Sequence, residues 1–113
     1  MVKRVEIGEP ANLTANQIVS QLAQGSLSAE AVTKACLDRI EALEPTVQAW
    51  AHYDGQLALM QAKEADRRRM QGLPLGPLHG VPVGLKDIID ARGLPTENGT
   101  PLDAGNRPLE DAA

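Results

Sequence analysis

The 113-residue chain has no phenylalanine, and Trp50 and Tyr53 are its only aromatic residues. A core built without large rings has to be filled by Ala, Leu, Val, Ile and Met, each removing less apolar surface from water. Two arrangements stay open: a small domain of tightly packed helices, or part of a larger domain whose remainder completes the core. Cysteine is almost absent too. With Cys36 alone, no internal disulfide can form, which excludes a disulfide-stapled secreted scaffold. Neither His52 nor His79 stands at a metal-ligand spacing from Cys36, which falls on the apolar stripe of an expected helix. It reads as a core thiol, and neither a metal nor a cofactor is expected.

Long apolar runs are missing as well. None approaches the roughly 18 residues needed to span a bilayer, and Met1 to Pro10 has no signal-peptide core. Fifteen acidic against 11 basic residues give a net charge of −4, which argues against a nucleic-acid or membrane-surface binder. The expected compartment is the cytoplasm. One basic cluster, Lys63 with Arg67 to Arg69, reads as a solvated helix face paired in part with Glu64 and Asp66.

What is present falls into two stretches. Residues 1 to 11 read as a loose or edge-pairing leader. Thr14 followed by Gln17 has the form of a capping box, opening a short helix that Gly25 stops in a left-handed cap. Ser28 is the next N-cap, with Glu30 in the first turn where the helix dipole favours negative charge. Val32, Cys36, Ile40 and Leu43 recur at helical spacing, and the helix is predicted to reach about Glu44, with Pro45 ending it. Thr46 to Tyr53 reads as a short strand or an extended connector. Asp54 caps a third expected helix that closes at Gly72. Beyond Gly72 glycine and proline crowd together and forbid long helices. Within that segment, Val81 to Leu85 has the length and composition of a strand, so the chain reads as α/β: a helical lead-in over about 12–72, then a strand-and-loop segment over about 73–113.

That strand would end at Lys86. In an extended segment Val81, Val83 and Leu85 face one way while Pro82, Gly84 and Lys86 face the other. Gly84 then leaves a hollow beside the ammonium group, where loss of hydration would favour a neutral amine able to take up a proton. The simpler alternative is a strand-end lysine at the surface, paired with Asp87 or Asp90. A phosphate-binding loop is excluded, because that pattern needs glycine before the lysine and Ser or Thr after it, whereas Leu85 and Asp87 stand there.

The run GPLHGVPVGLKDIIDARGLPTENGTPL resembles the segment of the amidase signature family that carries its catalytic lysine, a GPLHG-(I/V)-P-V-x-(I/L/V)-KD run followed by G-(L/M)-P-T-x-x-G-(S/T). The match is dense and ungapped. The upstream SxEAVTxACLxRIxALxPxxxAWA stretch and the ALxxAxxAD helix are similar to the family's lead-in, so the resemblance covers about residues 12–113. It implies an α/β fold with a mixed central sheet and an amide-bond hydrolase using a Ser, cis-Ser, Lys triad. The triad lysine corresponds to Lys86. In that chemistry a neutral lysine takes up a proton through the bridging serine, the second serine attacks the carbonyl, and backbone N–H groups hold the oxyanion.

The family's glycine- and serine-rich signature, which supplies both triad serines, falls later than residue 113. Ser20, Ser26 and Ser28 lie in the lead-in and do not correspond to it. The chain is therefore expected to be the N-terminal part of one such domain, inactive alone, with a truncated end after the acidic Glu110 and Asp111. Its substrate when complete would be a small-molecule amide. A homodimer or a partner subunit is the expected assembly, the latter as in relatives that pass ammonia to a partner. Two other expectations are that the short chain is a binding or regulatory fragment that completes a site with a separate remainder, and that its unpaired strand leaves it marginally stable.

Overall fold

The computed structural model describes residues 9–113; the leader expected over residues 1–11 lies mostly outside the described residues. Two compact units are present: Asp54–Pro82 joined with the described part of Met1–Ala49, and Trp50–Tyr53 joined with Val83–Ala113.

The first unit is helical. A 3-10 turn at Pro10–Asn12 leads into α1 (Ala15–Gln24). Thr14 Oγ1 accepts the Gln17 N–H at 3.2 Å while Gln17 Oε1 accepts the Thr14 N–H at 2.9 Å, the reciprocal box that its spacing predicts. Gly25, at φ 75°, closes the helix, with the Ser26 N–H donating to Gln21 O and the Gly25 N–H to Leu22 O. α2 (Ala29–Val47) starts on Ser28, whose Oγ accepts the Ala31 N–H at 3.0 Å. α3 (Gly55–Met70) starts on Asp54, whose carboxylate accepts the Leu57 N–H at 3.0 Å. Gly72, at φ 70°, closes it with donated bonds to Arg68 and Arg69 from Leu73 and Gly72.

Pro45 does not end α2. The helix runs on to Val47, and Gln48, in the left-handed region at φ 52°, closes it by donating to Glu44 O. A proline in a last turn removes one N–H donor, which is a smaller loss than abandoning the turn that Gln48 completes. Consequently no strand or extended connector starts at Thr46.

The core of this unit is small. Ile18, Leu22, Ala29, Val32 and Ala62 are buried, with Val32 fully so, and Leu13, Leu27, Cys36, Ala65 and Val81 pack against them. Each of Ile18, Leu22 and Val32 contributes about 1.5–3 kcal/mol by leaving water. The stripe on α2 fades toward its C-terminus, where Leu43 is 47% and Val47 59% exposed.

The helices α2 and α3 are also joined by a carboxylate. Asp66 Oδ1 accepts the Ala29 N–H at 2.7 Å and Oδ2 accepts the Glu30 N–H at 3.0 Å, so a side chain from α3 caps the start of α2. Asp66→Ala leaves a buried N–H at Ala29 without a partner. It is expected to lower unfolding stability by about 2 kcal/mol, measured by urea denaturation, and a loss below about 0.5 kcal/mol would contradict the assignment.

The second unit has no regular strand, and among all the described residues none is present. The α/β class and the mixed sheet expected around Val81–Leu85 are thus not displayed by these residues, which are helical in one unit and built of turns in the other. A strand exists only where a ladder partner accepts and donates hydrogen bonds, and no segment of residues 9–113 pairs with Val81–Leu85. Val83 is 70% exposed in consequence.

Candidate functional site

The backbone around Lys86 is held by turns rather than by a sheet. Lys86 O accepts the Ile89 N–H at 3.0 Å. Immediately after it, Asp87 Oδ1 accepts the Glu97 N–H at 2.8 Å and Asp87 O accepts the Asn98 N–H at 3.0 Å. The 96–98 segment is fastened from its other side as well. Thr96 N–H donates to Asn106 O at 2.9 Å, Asn106 Nδ2 donates back to Thr96 O at 3.0 Å, and Glu97 Oε2 accepts the Gly105 N–H at 2.6 Å. Asn98 at φ 52° and Gly99 at φ 70° turn the chain toward a 3-10 turn at Pro101–Asp103, where Asp103 Oδ2 accepts from Asn98 Nδ2. Thr96 is buried, and its Oγ1 finds no partner among the described residues.

Lys86 itself is exposed, and it forms no ion pair with Asp87 or Asp90. The surface pairing that was the simpler reading is therefore not made, since the Asp87 carboxylate receives a backbone N–H instead. The water-poor setting expected from Gly84 is not made either. A Cβ on Gly84 would lie 3.1 Å from Trp50 Cη2, so the indole edge occupies the space that the missing side chain opens. Trp50 in turn has Tyr53 beside it, with ring centroids 6.3 Å apart. Spacing could not reveal this, because Trp50 stands 34 positions before the glycine it covers; the only hint was a glycine with no turn to explain it.

The three lead-in serines serve their helices. Ser28 caps α2, Ser26 donates its hydroxyl to Gln21 O, and Ser20 Oγ accepts from Gln24 Nε2. Burial pushes the Cys36 thiol up from its ordinary value, more than Arg39 pulls it down, which leaves little thiolate at neutral pH and suits the core role expected of it. The basic cluster is distributed among local partners: Lys63 lies 3.8 Å from Glu30, Arg67 Nε donates to Glu64 at 2.7 Å, and the Arg69 guanidinium lies against Gly25. The Arg67 bond holds the Glu64 carboxyl below the usual carboxylate value. Asp66, expected to join this cluster, caps α2 instead. His79 Nε2 lies 2.8 Å from Ala65 O, a geometry in which Nε2–H donates. Among the described residues, no group of three His, Cys, Asp or Glu side chains could hold a metal ion, and no helix is long and apolar enough to cross a membrane.

What this arrangement offers is one exposed primary amine on a tightly fastened backbone, with no nucleophile assembled beside it by the residues of its own unit.

The chain is similar to known proteins of one family. The family model described as Amidase matches residues 31–113. The A subunit of the glutamyl-tRNA(Gln) amidotransferase of Chloroflexus aurantiacus is 45% identical over 101 residues, a match covering 89% of this chain and 21% of that protein. The protein of the same name from Streptomyces coelicolor is 46% identical over 100 residues, covering 88% and 20%. This chain thus spans about a fifth of the length of the curated relatives it matches. Among solved structures, an inhibitor-bound complex described as "An unexpected vestigial protein complex reveals the evolutionary origins of an s-triazine catabolic enzyme" superposes with a TM-score of 0.81 at 29% identity, over 88% of this chain and 22% of that one.

Proposed function

The chain belongs to the amidase family, and from that premise we propose that it is the N-terminal part of one amidase-signature domain, cleaving a carboxylic amide C–N bond with Lys86 as the base of a Ser, cis-Ser, Lys triad. The observation that carries the reading is the family match across the whole lysine segment, together with a backbone at residues 86–98 fastened by its own hydrogen bonds. Both serines and the oxyanion-binding turn would come from sequence outside these 113 residues, as would the mixed sheet that pairs Val81–Leu85 and the walls that take Lys86 out of water. The complete enzyme would work on a small-molecule amide in the cytoplasm.

A second reading keeps the same chemistry within an amidotransferase, with ammonia passed to a partner subunit instead of released. The names of the relatives at 45–46% identity favour it.

One chimaeric protein tests the chemistry that the two readings share. The chain is grafted in place of the 101 residues it matches in the Chloroflexus aurantiacus relative, and ammonia release is measured from primary carboxamides, with and without the relative's partner subunits. The 113-residue chain alone is expected to release none. The graft is expected to be active, which would show that this chain's lysine segment can complete an amide-cleaving site. Amide hydrolysis by the isolated chain that vanishes with Lys86→Ala at unchanged folding would overturn the triad reading.

A further inference from the structure

The residue after the lysine is bonded twice to one short segment. Its side chain accepts the Glu97 N–H at 2.8 Å and its main chain accepts the Asn98 N–H at 3.0 Å, while Thr96, Glu97 and Asn98 are each tied onward to residues 103–106. Asp87 is partly buried, whereas Lys86 is exposed and unpaired by it. An aspartate beside a lysine ordinarily reads as its counter-ion; here the carboxylate is directed at the backbone.

We infer that Asp87 is a positioning residue for Lys86, fixing the main chain from which the lysine side chain starts by accepting the Glu97 N–H. The inference rests on the reading of Lys86 as the base. A lysine has four rotatable side-chain bonds, so its amine can be aimed reproducibly only if its Cα does not move. Lys86 O is held in a turn by the Ile89 N–H, and residue 87 is pinned by two bonds, which leaves the backbone on the C-terminal side of Lys86 little freedom. Displacing a catalytic group by about 1 Å is enough to lower a rate on the order of 10²-fold. On this account the useful property of Asp87 is an acceptor oxygen in the right place, with its charge strengthening one hydrogen bond.

The test uses the graft with Asp87→Ala, Asp87→Asn and Lys86→Ala in parallel, measuring kcat and KM on one primary carboxamide, the pH profile of kcat and the folded fraction. Asp87→Ala is expected to lower kcat on the order of 10²-fold with KM within about threefold. Asp87→Asn, which keeps an acceptor oxygen, is expected to restore kcat to within about tenfold of the parent with an unshifted pH profile. Hydrogen exchange at the Glu97 and Asn98 amides of the 113-residue chain should accelerate in Asp87→Ala and less in Asp87→Asn. An Asp87→Ala enzyme with kcat within about threefold of the parent overturns the inference. So does Asp87→Asn failing as badly as Asp87→Ala with a shifted pH profile, since the charge would then be the operative property. A kcat loss that only tracks the folded fraction also overturns it. If Lys86→Ala retains activity, the base reading falls and this inference with it; if Lys86→Ala is dead while Asp87→Ala is not, only the inference falls.

Discussion

Lys86→Ala in the graft is expected to lower kcat on a primary carboxamide by about a thousandfold, in the middle of the range for removal of a general base. The methyl group of alanine cannot take up the proton that the nucleophile must lose. Lys86→Arg is expected to fall as far, because a guanidinium stays protonated and cannot act as base, although it keeps the charge and most of the length. KM should move little in both, since a triad base acts on the nucleophile and not on the ground-state amide. Folding provides the control. Lys86 is exposed and holds no ion pair among the described residues, so Lys86→Ala should change the stability of the 113-residue chain by no more than about 0.5 kcal/mol in urea. A graft whose kcat drops less than tenfold would remove Lys86 from the chemistry.

Gly80→Ala is expected to destabilise the helical unit by about 2–5 kcal/mol, the largest stability change anticipated for a single methyl group in this chain. Two effects add. Gly80 sits at φ +77°, where a side chain is strained, and its Cβ would stand 2.9 Å from Leu22 Cδ1 and 3.1 Å from the Ala29 Cβ. Leu22 and Ala29 are both in the buried core, so neither yields without opening it. An ordinary domain is stable by about 5–15 kcal/mol, and a core as small as this one sits toward the lower end, so the variant should be largely unfolded at 37 °C. Gly72→Ala separates the two effects: φ is +70° there with nothing within 4 Å, so only the backbone contribution remains, about 1 kcal/mol. Equal losses at the two positions by urea denaturation would show that the contact with Leu22 is not rigid.

Sequence reasoning reached the helix starts because a cap is a local device. Thr14, Ser28 and Asp54 each bond a donor three residues ahead, a distance that composition and spacing reveal directly. It went wrong at Pro45 by taking the steric push of a proline on the residue before it as a stop signal, when Glu44 stays helical and only one donor is lost in the final turn. The strand at Val81–Leu85 illustrates a different limit. Its alternation is a property of the segment, but a ladder is a property of two segments, and the second is not among residues 9–113. At the candidate site, Lys86 was singled out by the family resemblance, whereas Trp50 over Gly84 and Asp66 on the α2 N-terminus join residues more than 30 positions apart. Such pairings leave no trace in a one-dimensional pattern.

The uneven anchoring of α2 implies a gradient of opening along a single helix. Its first turn is closed by Ser28 and by the Asp66 carboxylate, and Val32 is sealed in the core, so amides there should exchange with solvent far more slowly than those of the last turn. Leu43 and Val47 are about half-exposed, so little apolar burial opposes fraying there, and the missing Pro45 donor lowers the cost further. The last turn should therefore breathe many times for each global unfolding event.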